Sequence, residues 1–174
     1  ERILKLWEGL GYYTRARNLQ KAAQMICENH HEEFPKTFDA ILALPGIGRY
    51  TAGAICSIAF NQPKPILDGN VIRVLTRVFG ISENPREKKT NEHLWRLAGE
   101  LVCAADMGAS ENRNNCSHLN QSLMELGALI CTPRQPKCDE CPVRKTCVAF
   151  RENRVEELPN LEKKREPTKR RFVA

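Results

Sequence analysis

No stretch of this sequence approaches the roughly 20 consecutive apolar residues that span a bilayer, and the opening Glu-Arg-Ile-Leu-Lys lacks the apolar run of a signal peptide. A helical membrane protein is excluded, and a secreted one is not expected. An intracellular setting is expected. Strand patterning is missing too: no window alternates polar and apolar residues, which argues against a sheet-based fold. Nor is there a coat of positive charge. The formal net charge is +6, but Val148–Ala174 holds eight Lys/Arg against five Asp/Glu, half of that excess. An anionic partner therefore has to be met by locally placed cations.

What the chain does have is helical periodicity. Its 174 residues, 41% of them hydrophobic, suffice for one core. Apolar spacings of three and four recur over about 1–10, 15–29, 37–44, 49–60, 70–79, 90–103, 118–130 and 142–150, so the expected fold is all-α. Pro, Gly and Asn punctuate the joints, as at Phe34-Pro35, Leu44-Pro45-Gly46-Ile47-Gly48, Pro63-Lys64-Pro65 and Asn84-Pro85. The polar stretch between Cys103 and His118 reads as a surface loop, and the charged segment after about Val155 as a linker. The first helical pattern is already under way at residue 1 without a Met, so further sequence is expected upstream.

Eight cysteines without an export signal favour thiols or metal ligands over a disulfide framework. Four of them, Cys131, Cys138, Cys141 and Cys147, are separated by six, two and five residues. One C-x-x-C flanked on each side by a single cysteine suits a compact loop around a [4Fe-4S] cluster. A four-cysteine zinc site and two disulfides are the alternatives. Arg134, Lys137, Arg144 and Lys145 lie in or beside this loop, which would hold them as a small basic surface. Cys27 and Cys56 sit in apolar helical patterns and read as core residues. No His/Cys pair with ligand spacing accompanies Cys103 and Cys116.

Gly46, Ile47 and Gly48 form the turn between two helical segments. Glycines there can take positive φ and expose main-chain N–H groups, which together with the open amides of the next helix make a site for a phosphate oxygen. A Rossmann fingerprint is excluded, because no strand precedes Gly46 and its sixth position is Thr51. Asp68, in Ile66-Leu67-Asp68-Gly69-Asn70-Val71, stands where it can N-cap the following helix and also face a cation that develops during a reaction.

Five ordered blocks carry a resemblance: Trp7-Glu-Gly-Leu-Gly-Tyr-Tyr13, Leu44-Pro-Gly-Ile-Gly-Arg-Tyr-Thr-Ala-Gly-Ala54, Leu67-Asp-Gly-Asn-Val-Ile-Arg-Val74, Asn120-Gln-Ser-Leu-Met-Glu-Leu-Gly-Ala128 and the cysteine loop. Over about residues 1–160 the chain resembles the MutY-type adenine DNA glycosylases of the endonuclease III superfamily. The resemblance implies a helix-hairpin-helix fold (hairpin about 37–60) with an iron-sulfur loop at 131–147. It divides the chain into a partial glycosylase domain at 1–150 and a linker at 151–174 leading toward a Nudix-like domain. It further implies a monomeric enzyme that flips adenine, mispaired with 8-oxoguanine or guanine, out of double-stranded DNA and hydrolyses its N-glycosidic bond. Asp68 matches the catalytic aspartate and Asn70 its neighbour in the pocket. Tyr50 stands where bifunctional relatives carry a Schiff-base lysine, so hydrolysis without strand cleavage is expected. Tyr12 matches the aromatic that stacks near the oxidised guanine. Arg15, Gly46, Ile47, Gly48, Arg134 and Lys137 are the other expected DNA contacts, and Cys131, Cys138, Cys141 and Cys147 the cluster ligands.

The family's general acid, a glutamate on a helix before Trp7, has no counterpart in these 174 residues, and Glu8 is not that residue. The polypeptide alone is therefore expected to bind DNA with little or no base release, and with weakened selectivity for 8-oxoguanine. The rival readings are another endonuclease III-like or mismatch thymine glycosylase, and a non-catalytic DNA-binding module.

Overall fold

A computed structural model describes residues 2–107 and 114–161, and within them every regular element is helical. The elements are α1 (Arg2–Leu6), α2 (Tyr13–Asn29), α3 (Phe38–Leu42), α4 (Arg49–Ala54), α5 (Gly69–Phe79), α6 (Lys88–Met107), α7 (Asn115–Glu125) and α8 (Val148–Arg151). α4 runs on into a π-helical turn at Ile55–Ala59, and α7 into another at Leu126–Ile130. No described helix is long and apolar enough to cross a membrane.

α5 is the axis of the molecule. Asp68 caps its N-terminus by accepting from Val71 N, and Gly80 ends it in the left-handed region at φ 67°. Its buried Val71 and Leu75 form one cluster with Ile66, Leu67, Ile81, Leu94 and Ala98. A second cluster, Ile41, Ala52 and Cys56, ties α3 to α4 and its extension. Two glycines permit the close approaches that set this geometry. A Cβ on Gly53 would collide with the Pro65 carbonyl, and one on Gly127 would come within 2.7 Å of Asn70 Cβ. Gly127 thereby lets the π-helical turn after α7 lie directly on the first turn of α5.

Several sequence expectations need correction. The helix expected over 1–10 ends at Leu6, because Gly9 and Gly11 turn the chain at φ 84° and 66°. The helix expected over 142–150 is a 3-10 turn at Arg144–Thr146 followed by the single turn of α8, with Cys147 extended between them. α6 starts at Lys88 and runs to Met107, and α7 starts at Asn115, so the loop expected from Cys103 to His118 is helical at both ends. Its middle, 108–113, lies outside the described residues, as do the linker and first strand expected over 162–174. Cys56 is buried as expected, but Cys27 is exposed.

Candidate active site and iron-sulfur loop

The hairpin at 44–48 joins α3 to α4. Thr37 caps α3 by accepting from Ala40 N, and Ile47 N donates to Leu44 O at 3.1 Å to close the turn. Only Gly46 takes positive φ, at 81°; Gly48, expected to share it, is extended at φ −100°. Both glycines are exposed, and the first-turn amides of α4 have no helical acceptor. Gly46 also packs against α2, where an added Cβ would come within 2.7 Å of Asn18 Cβ. Asn18 therefore links the hairpin to the helix that begins just after Tyr12.

The Trp7–Tyr13 block has a local logic of its own. Trp7 Nε1 donates to Gly11 O at 3.0 Å, and Gly9 and Gly11 supply the left-handed backbone that lets the loop fold back on the indole. Tyr12 is then pushed outward, 83% exposed and itself left-handed at φ 46°. A non-glycine residue in that region is strained, and an aromatic ring held in water by a strained backbone is an uncommon arrangement outside binding sites. Arg15, on the first turn of α2, is exposed as well.

At the head of α5, Asp68 Oδ1 accepts from Val71 N at 2.8 Å and Oδ2 accepts from Asn70 Nδ2 at 3.4 Å. The carboxylate is half-buried, so it is held rigidly with one oxygen only weakly engaged. Asn70 Oδ1 accepts in turn from Arg73 Nη2 at 2.8 Å, and the same nitrogen donates to Gly127 O at 2.6 Å. Arg73 Nε donates to Cys131 O at 2.7 Å. Burial lowers the Arg73 guanidinium from its ordinary value, with the nearby Cys131 and Asp68 acting the other way. Tyr50, 37% exposed, donates from its hydroxyl to Met124 Sδ at 3.3 Å, and Arg49 beside it lies over the Trp95 ring at 4.0 Å.

All four loop cysteines line a single cavity, closed by apolar side chains of α5, of the π-helical turn after α7 and of α8, together with Arg77 and Arg144. As free thiols, Cys138 and Cys141 are pushed up first by burial and further by their neighbouring sulfurs. Loading a metal group there must therefore displace protons. Four thiols lining one largely apolar cavity are the donor set that a polynuclear iron-sulfur cluster takes. Arg134 and Lys137 are exposed on this loop, where Lys137 N donates to Ile130 O at 2.9 Å and Arg134 O accepts from Thr132 Oγ1 at 3.0 Å.

The structure thus joins Asp68 to Asn70, and the hairpin to the Tyr12 helix. The sequence reading overlooked Arg73, Arg77, Gly127 and Asn18. The two arginines, four apart in the run from Val71 to Phe79 that is otherwise apolar except for Thr76, were the available signal for a polar stripe.

Comparison with known proteins agrees with this architecture. Residues 1–100 match the HhH-GPD superfamily of base excision DNA repair proteins, and residues 131–147 match the iron-sulfur binding domain of endonuclease III. The chain belongs to the HhH-GPD superfamily and carries that iron-sulfur loop, with a [4Fe-4S] cluster as its cofactor. An adenine DNA glycosylase of Buchnera aphidicola subsp. Schizaphis graminum is 44% identical over 163 residues, 94% of this chain and 44% of the relative. One of Mus musculus is 46% identical over 151 residues, 86% of this chain and 28% of the relative. The chain thus spans less than half the length of these relatives. Among solved structures, a thermostable thymine-DNA glycosylase superposes with a TM-score of 0.72 at 32% identity, covering 87% of this chain and 65% of that one. A non-covalent endonuclease III–DNA complex gives 0.61 at 25% identity, covering 83% and 61%.

Proposed function

We propose that this chain is the core of a monofunctional adenine DNA glycosylase that removes adenine mispaired with 8-oxoguanine or guanine. Identity favours adenine over thymine, 44–46% against relatives of the first activity and 32% against the thymine-DNA glycosylase. The observation that carries the reading is Asp68, pinned through one oxygen to the start of α5 with its second oxygen reached only by Asn70 at 3.4 Å. Breaking the bond to adenine develops positive charge on the sugar, and a fixed, half-buried carboxylate stabilises it. Asn70 orients that carboxylate. Tyr50 cannot form an imine, so the sugar–phosphate chain stays intact.

The remaining residues fit double-stranded DNA. The amides of Gly46, Ile47 and Gly48 hold a backbone phosphate, Tyr12 stacks beside the mispair, and Arg15, Arg134 and Lys137 add local positive charge. Residues 1–150 form the glycosylase part and 151–174 a connection onward, in a protein that acts as a monomer. When bound, the cluster supplies the cross-link that holds the basic loop 131–147 in shape.

The decisive experiment compares wild type and Asp68→Asn in the intact protein on duplexes holding A opposite 8-oxoguanine or T opposite G, under single turnover. Adenine release should fall at least about a hundredfold in the variant, and borohydride should trap no protein–DNA adduct. Unchanged release, or wild-type release of thymine in preference to adenine, would refute the assignment.

A further inference from the structure

Among the described residues Arg77 is the largest fully buried side chain, 1% exposed, yet it pairs with no carboxylate there. The ion pairs among the described residues join Lys88 to Glu92, Arg144 to Asp139, and Arg154 to Glu152 and Glu157. Its donors go instead to the cysteine loop and the segment after it. Nε donates to Leu158 O at 2.8 Å, Nη1 to Thr132 O at 2.7 Å and to Cys131 Sγ at 3.4 Å, and Nη2 to Pro133 O at 3.4 Å. Cys147 Sγ lies 3.4 Å from the carbonyl of the same residue. The first and last sulfurs of the loop therefore both rest on Arg77.

Carbonyls satisfy hydrogen bonds without neutralising a charge. A buried cation is tolerated when an anion shares its surroundings. The cavity that Arg77 lines contains the four cysteine sulfurs and no carboxylate. A resting four-iron cluster with four thiolates carries roughly two negative charges and gains another on reduction. We propose that Arg77 is the internal counter-cation of the iron-sulfur cluster, raising its reduction potential and retaining Cys131 as a ligand. A cation against the ligand sulfur favours the more negative, reduced state, and an N–H···S hydrogen bond withdraws electron density in the same direction. Arginine suits the position because one planar fork reaches the sulfur and three carbonyls together, which an ammonium group cannot do. Arg73, one turn earlier on α5, reaches the loop only through the Cys131 carbonyl, so the two arginines divide the work between backbone and sulfur.

The test uses the cluster-loaded chain with Arg77→Gln and Arg77→Lys, each checked for folding by circular dichroism and for iron and sulfide content. Film voltammetry should place the Gln variant lower by about a tenfold change in the reduction equilibrium, about 59 mV for one electron. Its cluster absorbance should also decay several-fold faster in air. The Lys variant, keeping the charge, should stay nearer to wild type in both. A Gln variant with wild-type potential and decay, or Lys and Gln variants shifted alike, overturns the proposal. Should neither variant take up a cluster, wild type grown with guanidinium-nitrogen-15 arginine decides. With the cluster brought to its paramagnetic state by one electron from a photochemical reductant, double-resonance spectroscopy should then show a nitrogen coupled to the cluster spin, and no coupling in that reduced state overturns the proposal. Wild type lacking iron and sulfide would instead overturn the cofactor assignment, and this role with it.

Discussion

Arg73 holds Cys131 by its carbonyl at 2.7 Å and Asn70 by its side-chain oxygen at 2.8 Å, so one guanidinium connects the start of the iron-sulfur loop to the residue beside Asp68. Removing it leaves the carbonyls of Gly127 and Cys131 without their partner and frees Asn70 to rotate. Arg73→Met should lower stability by about 2–3 kcal/mol, the range for half-buried hydrogen bonds to a charged group, as read by urea denaturation. On the proposed function, adenine release in the intact protein should fall more than duplex affinity, because Asn70 and Asp68 lose alignment while the hairpin at 44–48, proposed to hold the DNA backbone, does not. An equal fall in both would show that Arg73 acts only by holding the fold together.

On the proposed function, Asp68 has two separable tasks. As an N-cap it is replaceable by Asn, which caps equally well, so Asp68→Asn should unfold within about 0.5 kcal/mol of wild type while Asp68→Ala loses about 1 kcal/mol. As a charge it has no such substitute, and both variants should lose adenine release in the intact protein. Denaturation curves measured beside base-release assays separate the cap from the chemistry.

Tyr12 is exposed and left-handed, so the fold gains little from its ring. Tyr12→Gly should leave stability unchanged or raise it by up to about 1 kcal/mol, since glycine adopts that backbone without strain. Affinity for a mispaired duplex should nonetheless drop by about 1–3 kcal/mol, the scale of one aromatic–base stack. Fluorescence anisotropy on matched and mispaired duplexes would measure it.

Cys116 is fully buried, with its sulfur 3.6 Å from Asp106 Oδ1. Burial first, and the Asp106 carboxylate second, push its thiol up from 9.0 to about 11. It should resist alkylation at pH 8, where the exposed Cys27 and Cys103 react. The sign for stability follows from proton counting. Between pH 9 and about 11 the unfolded chain has lost this proton while the folded one keeps it. Stability is therefore full below pH 9 and declines as pH rises toward 11. Cys116→Ser or Cys116→Ala should flatten that alkaline decline in thermal unfolding scans.

Much of the site was legible because its residues are neighbours in the chain. The cap at Asp68, the turn at Gly46 and the thiol loop at 131–147 are each set by spacings of a few residues, and short-range geometry follows from such spacings directly. Arg73 and Arg77 were not legible in the same way. On a helix that is apolar from Val71 to Phe79 but for Thr76, they read as breaks in the pattern, and their partners lie 54 to 81 residues further along. Cys27 was misread for the converse reason: it keeps the apolar period of α2, yet its side chain is exposed.

The sequence by itself determined that the protein is helical, that its hairpin exposes backbone amides and that four cysteines serve one metal group, since each depends on local periodicity, backbone freedom or ligand chemistry. Only the tertiary structure decided that Gly127 brings the π-helical turn after α7 onto Asn70, that Asn18 seats the hairpin, and that α5 carries the Asp68 carboxylate at its head and the buried Arg77 further along, against Cys131. Those arrangements depend on which helices pack together. Packing is a property of surfaces brought together from distant parts of the chain, which no window of sequence contains.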